Sequence, residues 1–434
     1  MTEEYTNEKD ILYVKLDNGL TVILKEMNHA TFSTLYVWYK AGSRYESPGK
    51  SGVFHWIEHL LSRGTPSFSK EKIAQLITKD GGNYNSFVWL DFTTYFTTLP
   101  TNSIHLAFEI EADRMINAQF RPEDIEIERK VITAERKMNE SNPNFILGER
   151  VRQIAFKNHP YRYQVIGNGI DINKITPQDL IDYYHRFYVP NNSVIVAAGN
   201  FNSHLILNII KRYFNDIPPL DTGYPPVITE IFPTESQRVL VQGSGDTSYL
   251  CVSFRVPEAT HKDFIPLVLF NAAFVGGSSL PFYSGAGNNR ISRLYKSTVE
   301  KGLAVGLIGS IAPTIDSHLY SLNAVINQGS EISKVVDVIQ TELELVRKRP
   351  ISGQELYLAK KRAKVELALI GERVTGQAQM IGIAEIVAGN YLWFDEMLEK
   401  IRAVTEKDLD RVIHKYLKPE NWIIGEYIPS REKT

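Results

Sequence analysis

The spacing of apolar residues in the first half of the chain changes several times between a strand period and a helix period. Two short runs with a strand pattern, 11–15 and 20–25, flank Asn18-Gly19. Asn-Gly is the strongest short-range signal for a tight turn, so the pattern predicts a hairpin at the start of the chain. Further strands are predicted at 32–40, 87–98 and 193–198, and helices at 52–61, 70–78, 104–118 and 122–139.

A proline-rich stretch divides this pattern almost in half. Five prolines lie between residues 218 and 233, where neither period is present, and residues 218–235 are therefore predicted to be a linker. We predict an α+β protein with an internal duplication, in which domains 1–217 and 236–434 flank the linker, because the same order of elements returns after it. The later strands are predicted at 249–255, 304–311 and 317–326, and the later helices from 264, at 331–347 and at 353–370.

The segment His55-Trp56-Ile57-Glu58-His59 lies in the predicted helix 52–61 and carries the clearest chemistry. Because an α-helix turns by about 100° per residue, His55, Glu58 and His59 lie on one face. Two imidazoles one turn apart can hold one metal ion. The order is the reverse of the H-E-x-x-H zinc-protease helix, and H-x-x-E-H occurs among catalytic motifs. The alternative is a chance match on an ordinary helix.

A catalytic zinc needs a third protein ligand and keeps one position open for water. The strongest candidate is Glu135, on the predicted helix 122–139, whose other face is apolar. Glu128, two turns earlier on nearly the same face, can orient a histidine by accepting its second N–H. The period by itself leaves open that both glutamates are ordinary surface residues. A set of two histidines and one carboxylate also suits manganese, cobalt or iron.

Several short motifs accompany this set along the chain. They are Leu16-Asp17-Asn18-Gly19-Leu20, Ala41-Gly42-Ser43-Arg44-Tyr45-Glu46, Gly64-Thr65, Gly81-Gly82-Asn83-Tyr84-Asn85-Ser86, Glu111-Ala112-Asp113-Arg114-Met115, His159-Pro160-Tyr161 and Phe187-Tyr188-Val189-Pro190-Asn191-Asn192. Together with the spacing of His55, His59 and Glu135, they resemble the pitrilysin/insulinase family of zinc metallopeptidases. The resemblance covers nearly the whole chain and is strongest to the short-chain branch, which includes mitochondrial processing peptidase and bacterial processing-peptidase-like proteins.

The resemblance implies that His55, His59 and Glu135 bind zinc, that Glu58 is the general base and that Glu128 orients a ligand. These roles agree with the chemistry of each residue. Zinc lowers the pKa of a bound water to about 7 and polarises the scissile carbonyl. A carboxylate one side chain away can take the water's proton and return it to the leaving amine.

The resemblance also implies a substrate-binding segment after Gly81-Gly82. Asn85 matches a family position that contacts the substrate, and its neighbour Ser86 is assigned the same role. The extended segment 86–98 resembles the edge strand to which family members add the substrate as an extra β-strand. Such backbone pairing favours unfolded or extended peptides. The alternative for Asn85 is an ordinary turn residue.

The second half departs from the family pattern at two positions. Family members that work as one chain carry an arginine and a tyrosine in a pattern like Arg-Glu-Lys-x-Gly-Leu-Ala-Tyr, but this chain has Thr298 and Val305 there. Neither side chain supplies a cation or a phenol to hold the substrate and its oxyanion. We therefore expect a heterodimer in which a related subunit supplies the Arg/Tyr pair. Arg290, Arg293 and Tyr295 lie close enough in sequence to be alternatives.

Composition and charge exclude several other classes. The net charge is −2, so no overall field attracts nucleic acid or an anionic membrane. The longest apolar stretch, 264–275, is shorter than the roughly 20 residues that a membrane span needs. The single cysteine, Cys251, is expected to be an inert core residue and forms no internal disulfide. With no signal peptide in the sequence, these features predict a cytoplasmic protein.

We therefore expect a zinc-dependent endopeptidase built from two related α+β halves, each a mainly antiparallel sheet with helices packed on it. It would hydrolyse peptides or unfolded segments in an enclosed chamber, as the zinc-bearing subunit of a heterodimer, with a homodimer as an alternative. One rival is a noncatalytic core or scaffold subunit of the same fold. The other is a peptide-binding subunit that retains zinc and is too slow alone to matter.

Overall fold

A computed structural model describes residues 4–8, 10–224, 228, 230, 235–276 and 290–430. Of the predicted linker 218–235, residues 225–227, 229 and 231–234 lie outside the described residues, as does 277–289 of the glycine-rich stretch after residue 275. The elements of the first half alternate between strands and helices. The strands are β1 Glu4–Glu8, β2 Ile11–Lys15, β3 Thr21–Glu26, β4 Phe32–Tyr39, β5 Asn83–Val88, β6 Thr93–Pro100 and β7 Ser193–Gly199. The helices are α1 Val53–Leu61, α2 Lys70–Lys79, α3 His105–Asn117, α4 Pro122–Glu140, α5 Pro143–Ala155, α6 Gly169–Lys174, α7 Pro177–Phe187 and α8 Ser203–Phe214.

The second half is built in the same way from strands and helices. Helix α9, Phe264–Phe274, is apolar except for Asn271 and all its residues are buried, as expected for a helix inside a core. The strands are β8 Gln237–Gly243, β9 Tyr249–Val256, β10 Ala304–Ile311, β11 His318–Ile326 and β12 Ile423–Pro429. The helices are α9 Phe264–Phe274, α10 Ile332–Lys348, α11 Gly353–Gly371, α12 Val374–Ile383, α13 Trp393–Ala403 and α14 Glu406–Tyr416.

The strands form two mixed sheets with the same topology. The first sheet has the order β1-β2-β3-β7-β4-β6-β5 and the second β10-β11-β9-β12-β8. Only β3–β7 and β8–β12 pair in parallel among the described strands, and all other pairs are antiparallel. If β3 to β7 are matched in chain order with β8 to β12, the two strand orders are identical. This confirms the predicted α+β fold with two related, mainly antiparallel halves.

The chain divides into two compact units, each made of several segments. Unit 1 comprises Met1–Arg136, Tyr163–Val227 and Ile370–Phe394, and unit 2 comprises Lys137–Arg162, Ile228–Leu369 and Asp395–Thr434. A single cut between the predicted domains 1–217 and 236–434 would place α5 in the first domain and α12 in the second. Packing places them the other way round. Helix α12 packs on β4 and β7 in unit 1, and helix α5 packs on β9 and β12 in unit 2. In each unit, a helix from the other half of the sequence covers the sheet.

Close packing explains why α12 belongs to unit 1. The indole ring of Trp38, fully buried on β4, lies against Gly382 of α12. A Cβ at Gly382 would lie 2.1 Å from atoms of that ring, so any larger residue would push the helix off the sheet. The pattern of α12 in the sequence gives no sign of this contact, since its partner strand lies more than 300 residues away.

The predicted first hairpin is confirmed. Strands β2 and β3 pair in antiparallel fashion, with Lys15 opposite Thr21. The Leu16 N–H donates to the Leu20 carbonyl across a turn in which Gly19 has φ +84°. The Asn18 side chain accepts a hydrogen bond from the Leu20 N–H and thereby closes the turn. Gly19 is required because the left-handed conformation is costly for other residues.

The single extended segment predicted at 87–98 is wrong. The chain forms the hairpin β5–β6 there, with a tight connection in which the Trp89 N–H donates to the Phe92 carbonyl at 2.7 Å. Buried Asp91 lies in this turn. The apolar residues Trp89, Leu90 and Phe92 continue the strand pattern across the turn, which is why the pattern alone did not show the reversal. Of these two strands, β5 lies at an edge of the sheet and β6 does not, because β6 pairs on both sides.

None of the helices in the described part of the chain is long and apolar enough to cross a membrane. Cys251 is buried on β9, where burial raises the pKa of its thiol. A buried thiol with a raised pKa is poorly nucleophilic, in agreement with the predicted core role.

Candidate metal centre

Helix α1, which carries the His55–His59 motif, begins in a tightly packed place. Gly52 precedes it with φ +90°, and a Cβ there would lie 2.5 Å from the Ile166 carbonyl oxygen. The buried carboxyl of Glu46 lies at the same end, where the Phe54 N–H donates to it at 3.5 Å. Burial raises the pKa of Glu46 to about 8, although hydrogen bonds from the backbone of Gly52, Val53 and Phe54 act in the opposite direction. The apolar face of α1 is fully buried, so the position of the helix is fixed at its start and along its length.

The remaining face of α1 brings together the three residues singled out by the motif. The ring centroids of His55 and His59 are 4.6 Å apart. One ligand atom each from His55, Glu58 and His59 lies within 4.8 Å of the others, which is close enough for one ion. The side chains of His55 and His59 are 13% and 21% exposed, so both rings are mostly buried and each keeps some access to solvent.

Helix α4 supplies the third candidate ligand. The Glu135 Oε2 atom is 3.8 Å from His55 Nε2 and 3.5 Å from His59 Nε2. Two ligand atoms that are each ~2.0–2.1 Å from a tetrahedral zinc are themselves roughly 3.4 Å apart. The structure thus brings His55, His59 and Glu135 together at about the separation that a shared ion requires.

A hydrogen bond fixes the orientation of His59. The Nδ1 atom of His59 lies 3.0 Å from Glu128 Oε2, and Arg63 holds the other carboxylate oxygen of Glu128 at 2.6 Å through its Nε–H. Because a carboxylate accepts hydrogen bonds, Nδ1 carries a proton toward Glu128, and Nε2, on the side of Glu135, is the atom left to bind an ion. A metal-binding histidine typically has such a partner on its second nitrogen. Buried His55 Nδ1 has no hydrogen-bond partner among the described residues.

The electrostatics of the site favour a cation. Burial, together with neighbouring His59, lowers the pKa of His55 to about 4, so that its ring is neutral. Burial also opposes protonation of His59, but the hydrogen bonds with Glu128 and Glu135 outweigh it and raise its pKa to about 9. The hydrogen bond with His59 lowers the pKa of Glu135, against a smaller effect of burial. The carboxylates thus create a negative potential around the His59 ring, and a divalent cation benefits from the same potential.

The donor set passes a simple test of fit to zinc. Two imidazole nitrogens and one carboxylate oxygen are ligands that zinc accepts once His59 has given up its Nε2 proton, and three protein ligands leave the fourth position open. The orientation of His59 by Glu128 fits a ring that binds an ion through Nε2, whereas His55 Nδ1 has no such partner among the described residues. Glu58 shares the cluster with His55 and His59, and its carboxyl is engaged by a hydrogen bond from Ser86.

The edge strand β5 passes next to Glu58. Ser86 donates a short hydrogen bond to Glu58 Oε1, and the exposed Asn85 side chain accepts one from the Ser86 N–H at 2.9 Å. Burial raises the pKa of Glu58, and the bond from Ser86 acts in the opposite direction. A pocket of about 420 Å³ is lined by these residues, by His59 and by Val131 of α4. The structure therefore brings Asn85 and Ser86 to the candidate metal site, on the free edge of the sheet.

The residues of unit 2 at the positions of the Arg/Tyr pair, and those considered as alternatives to it, differ in their surroundings. Thr298 is fully buried and its hydroxyl donates to the Leu294 carbonyl, whereas Val305 is 64% exposed on the edge strand β10. Arg293 forms a bidentate ion pair with Glu355, at 2.7 and 2.8 Å. Arg293 is thus committed to a structural contact.

Two other candidates of unit 2 differ in exposure. Arg290 is exposed, and Tyr295 is half-buried in a short π-helical turn. Exposure leaves Arg290 accessible from the solvent.

Sequence reasoning did not single out Ser62 or Arg63. Both follow His59 by three or four residues, a spacing that places side chains on one face if the helix continues. Arg63 also stands at the C-terminal end of α1, where a cation is favoured by the helix dipole. The spacing between His59 and Arg63 was therefore the feature of the sequence that indicated that both residues contact Glu128.

Comparison with known families matches the chain in two consecutive parts. The family model described as "Insulinase (Peptidase family M16)" matches residues 21–169, which include the whole candidate metal centre, and "Peptidase M16 inactive domain" matches 174–363. This chain belongs to the insulinase family, peptidase family M16. The family predicted from the sequence is confirmed.

Relatives match over nearly their full length. The chain is 24% identical to the "Uncharacterized zinc protease YmxG" of Bacillus subtilis, across 95% of this chain and 97% of that protein. It is 26% identical to the "Uncharacterized zinc protease Rv2782c" of Mycobacterium tuberculosis, across 93% and 90%. It is 24% identical to the beta subunit of mitochondrial-processing peptidase from Saccharomyces cerevisiae, across 91% and 86%.

Solved structures share the fold over the whole chain. A protease from Helicobacter pylori is similar with a TM-score of 0.90 and 23% identity, covering 99% of this chain and 100% of that one. A protein from Pseudomonas fluorescens described as a peptidase M16 inactive domain has a TM-score of 0.84 and 16% identity, covering 100% and 99%. These likenesses show that the two-part fold is that of M16-type peptidases.

Proposed function

We propose that the protein is a zinc-dependent endopeptidase in which His55, His59 and Glu135 hold the metal. The observation that carries the proposal is the geometry of His59, whose Nδ1 is held by Glu128 at 3.0 Å while its Nε2 lies 3.5 Å from Glu135. The names of the relatives, several of them zinc proteases, support zinc over other divalent metals. When bound, the ion would polarise the scissile carbonyl and lower the pKa of the attacking water to about 7.

Glu58 is the residue placed to move the proton. Its carboxyl lies on the same helix face as both histidines and within the 4.8 Å cluster, and Ser86 binds one of its two oxygens. Glu58 would accept a proton from the attacking water and donate it to the leaving amine. The raised pKa of Glu58 brings its carboxyl closer to the working pH, which improves both transfers.

The substrates are proposed to be peptides or unfolded segments. Strand β5 lies at the end of its sheet, so one side of its backbone has no partner strand among the described residues. An extended peptide can add to such an edge through backbone hydrogen bonds. Asn85 and Ser86 on this strand lie beside Glu58, so a peptide paired with β5 would pass the candidate metal centre. We therefore retain Asn85 and Ser86 as substrate-binding candidates.

A partner subunit is part of the proposal. Thr298 and Val305 supply neither a cation nor a phenol, and Arg293 is held by Glu355. A related chain that carries an arginine and a tyrosine would close the chamber and complete the oxyanion site as a heterodimer. A homodimer remains the alternative. The cytoplasmic location stays a prediction, to be tested by cell fractionation.

The test is the cleavage of a quenched-fluorescent peptide library by the zinc-loaded chain, alone and with the product of a neighbouring related gene. The proposal predicts cleavage only when the partner is added, and loss of that cleavage in Glu58→Gln. Cleavage by the isolated chain would contradict the need for a partner. Bound zinc without any cleavage would contradict the peptidase itself.

The second candidate is a peptide-binding subunit of the same fold. The observation that favours it is the fully buried Thr298 at the position where a reaching arginine was expected. Such a protein would bind extended peptides at β5 with the same affinity in wild type and in Glu58→Gln, and neither form would cleave them with any partner.

A further inference from the structure

Ser86 makes a contact that its predicted role in substrate binding does not explain. Its hydroxyl donates a short hydrogen bond to Glu58 Oε1. The Ser62 hydroxyl lies 3.4 Å from the Ser86 hydroxyl and donates to the Glu58 backbone carbonyl at 3.0 Å. The edge strand β5 and the end of helix α1 are thus joined through the side chain of Glu58.

The contact constrains the carboxylate of Glu58. A glutamate side chain has three rotatable bonds, and its carboxylate is useful for proton transfer only in the orientation that faces the reacting water. The bond from Ser86 occupies Oε1 and leaves Oε2 for the proton. Hydrogen bonds to ionised groups in a largely buried place are about twice as strong as neutral ones. A single hydroxyl is therefore sufficient to select one orientation.

The position of Ser86 on the strand adds a second consequence. Successive side chains of a strand point to opposite faces, so Ser86 faces Glu58 while its neighbour Phe87 packs on the other side against Trp38 and Phe92. The backbone of the same strand forms the sheet edge to which a peptide can add. A shift of β5 on peptide binding would move the Ser86 hydroxyl and, with it, the carboxylate of Glu58.

We propose that Ser86 is a positioning residue for Glu58, which couples the peptide-binding edge strand to the orientation of the general base. The proposal rests on the proposed peptidase function. It differs from direct substrate binding because Ser86 acts on turnover through Glu58, whereas Asn85 would act on peptide affinity.

The test compares Ser86→Ala, Ser86→Thr and Asn85→Ala with wild type, in the form of the enzyme that cleaves peptides. The measurements are kcat and KM for one peptide, the zinc content of each variant and its melting temperature. Ser86→Ala removes the hydroxyl and little volume, and Ser86→Thr restores a hydroxyl on a residue well suited to a strand. Asn85→Ala is the matched control on the adjacent, exposed position of the same strand.

The proposal predicts a kcat about tenfold lower in Ser86→Ala, with KM within about twofold and full zinc content. The loss is smaller than the roughly 100-fold or more that a general base contributes, because the carboxylate itself remains. Ser86→Thr should recover most of the kcat, and Asn85→Ala should raise KM with little change in kcat. A merely structural bond would lower the melting temperature without this division between kcat and KM.

Three results would overturn the inference. An unchanged kcat in Ser86→Ala, or a rise in KM alone, would leave the peptidase intact but remove the positioning role. An equally low kcat in Ser86→Thr would show that the hydroxyl is not the cause. If zinc-loaded wild type cleaves no peptide with or without a partner, the proposed function fails and this inference fails with it.

Discussion

Replacing Glu128 by glutamine should weaken zinc binding without changing any metal ligand. Glu128 is 7% exposed and bridges His59 Nδ1, at 3.0 Å, and Arg63 Nε, at 2.6 Å. Glutamine keeps the shape but has one acceptor oxygen and an NH₂ group that cannot accept. Either His59 loses its acceptor or Arg63 faces another donor.

The magnitude follows from the general effect of such partners. Loss of a group that orients a metal ligand typically lowers metal affinity about 10- to 100-fold. This corresponds to ~1.4–2.7 kcal/mol of binding free energy. The assay is a competition between the apoprotein and a chromogenic zinc chelator, which gives the Kd for zinc of each variant at one pH.

Glu126 offers a matched control on the same helix. Its side chain is 64% exposed and pairs only at the surface with Arg129, at 3.2 Å. Glu126→Gln removes the same charge two residues away and should leave the Kd for zinc within about twofold, since exposed charges are well screened. An unchanged Kd in Glu128→Gln, or an equal loss in both variants, would refute the role given to Glu128.

Two further predictions concern the stability of the units. Gly52→Ala should lower the melting temperature in calorimetry, and the activity in peptide assays, more than Gly49→Ala does. Both glycines have a positive φ, but a new Cβ at Gly52 would lie 2.5 Å from the Ile166 carbonyl oxygen, whereas one at Gly49 would meet no atom within 4 Å. Equal effects of the two substitutions would contradict this account. Burial opposes ionisation of Glu355, but its hydrogen bonds with Arg293 and Ser352 outweigh it and hold its pKa at about 2, below the ordinary 4.5. The stabilisation that these contacts give is therefore complete above about pH 4.5 and is lost as the pH falls toward 2. In thermal scans, Glu355→Gln should lose less stability between pH 7 and pH 3 than wild type does. An identical loss in both proteins would contradict the lowered pKa of Glu355.

The sequence pattern was sufficient where an element's own residues decide its form. Strand β10 was predicted with its observed bounds, and helices α1 and α4 to within one residue at each end. The motif placed His55, Glu58 and His59 on one face because that depends only on the helix period. The same holds for the first hairpin, which Asn18-Gly19 specifies locally.

What the pattern missed depends on contacts between distant residues. The assignment of α5 and α12 to units follows from packing such as Gly382 against Trp38, which no local period encodes. The hairpin turn between β5 and β6 was hidden because three of its four residues, Trp89, Leu90 and Phe92, are apolar. The bond between Ser86 and Glu58 joins residues 28 positions apart, so a strand residue that looked like a substrate contact also touches the candidate base.

The most direct test of the central claim is the rate of peptide cleavage per bound zinc with the partner subunit present, in wild type and in Glu58→Gln, with zinc counted in the same samples. The account predicts equal zinc content in both proteins, because Glu58 is not a ligand. It also predicts a rate in the variant at least about 100-fold lower, because the proton acceptor is lost. An equal rate per zinc in both proteins would contradict the account, and so would a Glu58→Gln variant that fails to bind zinc.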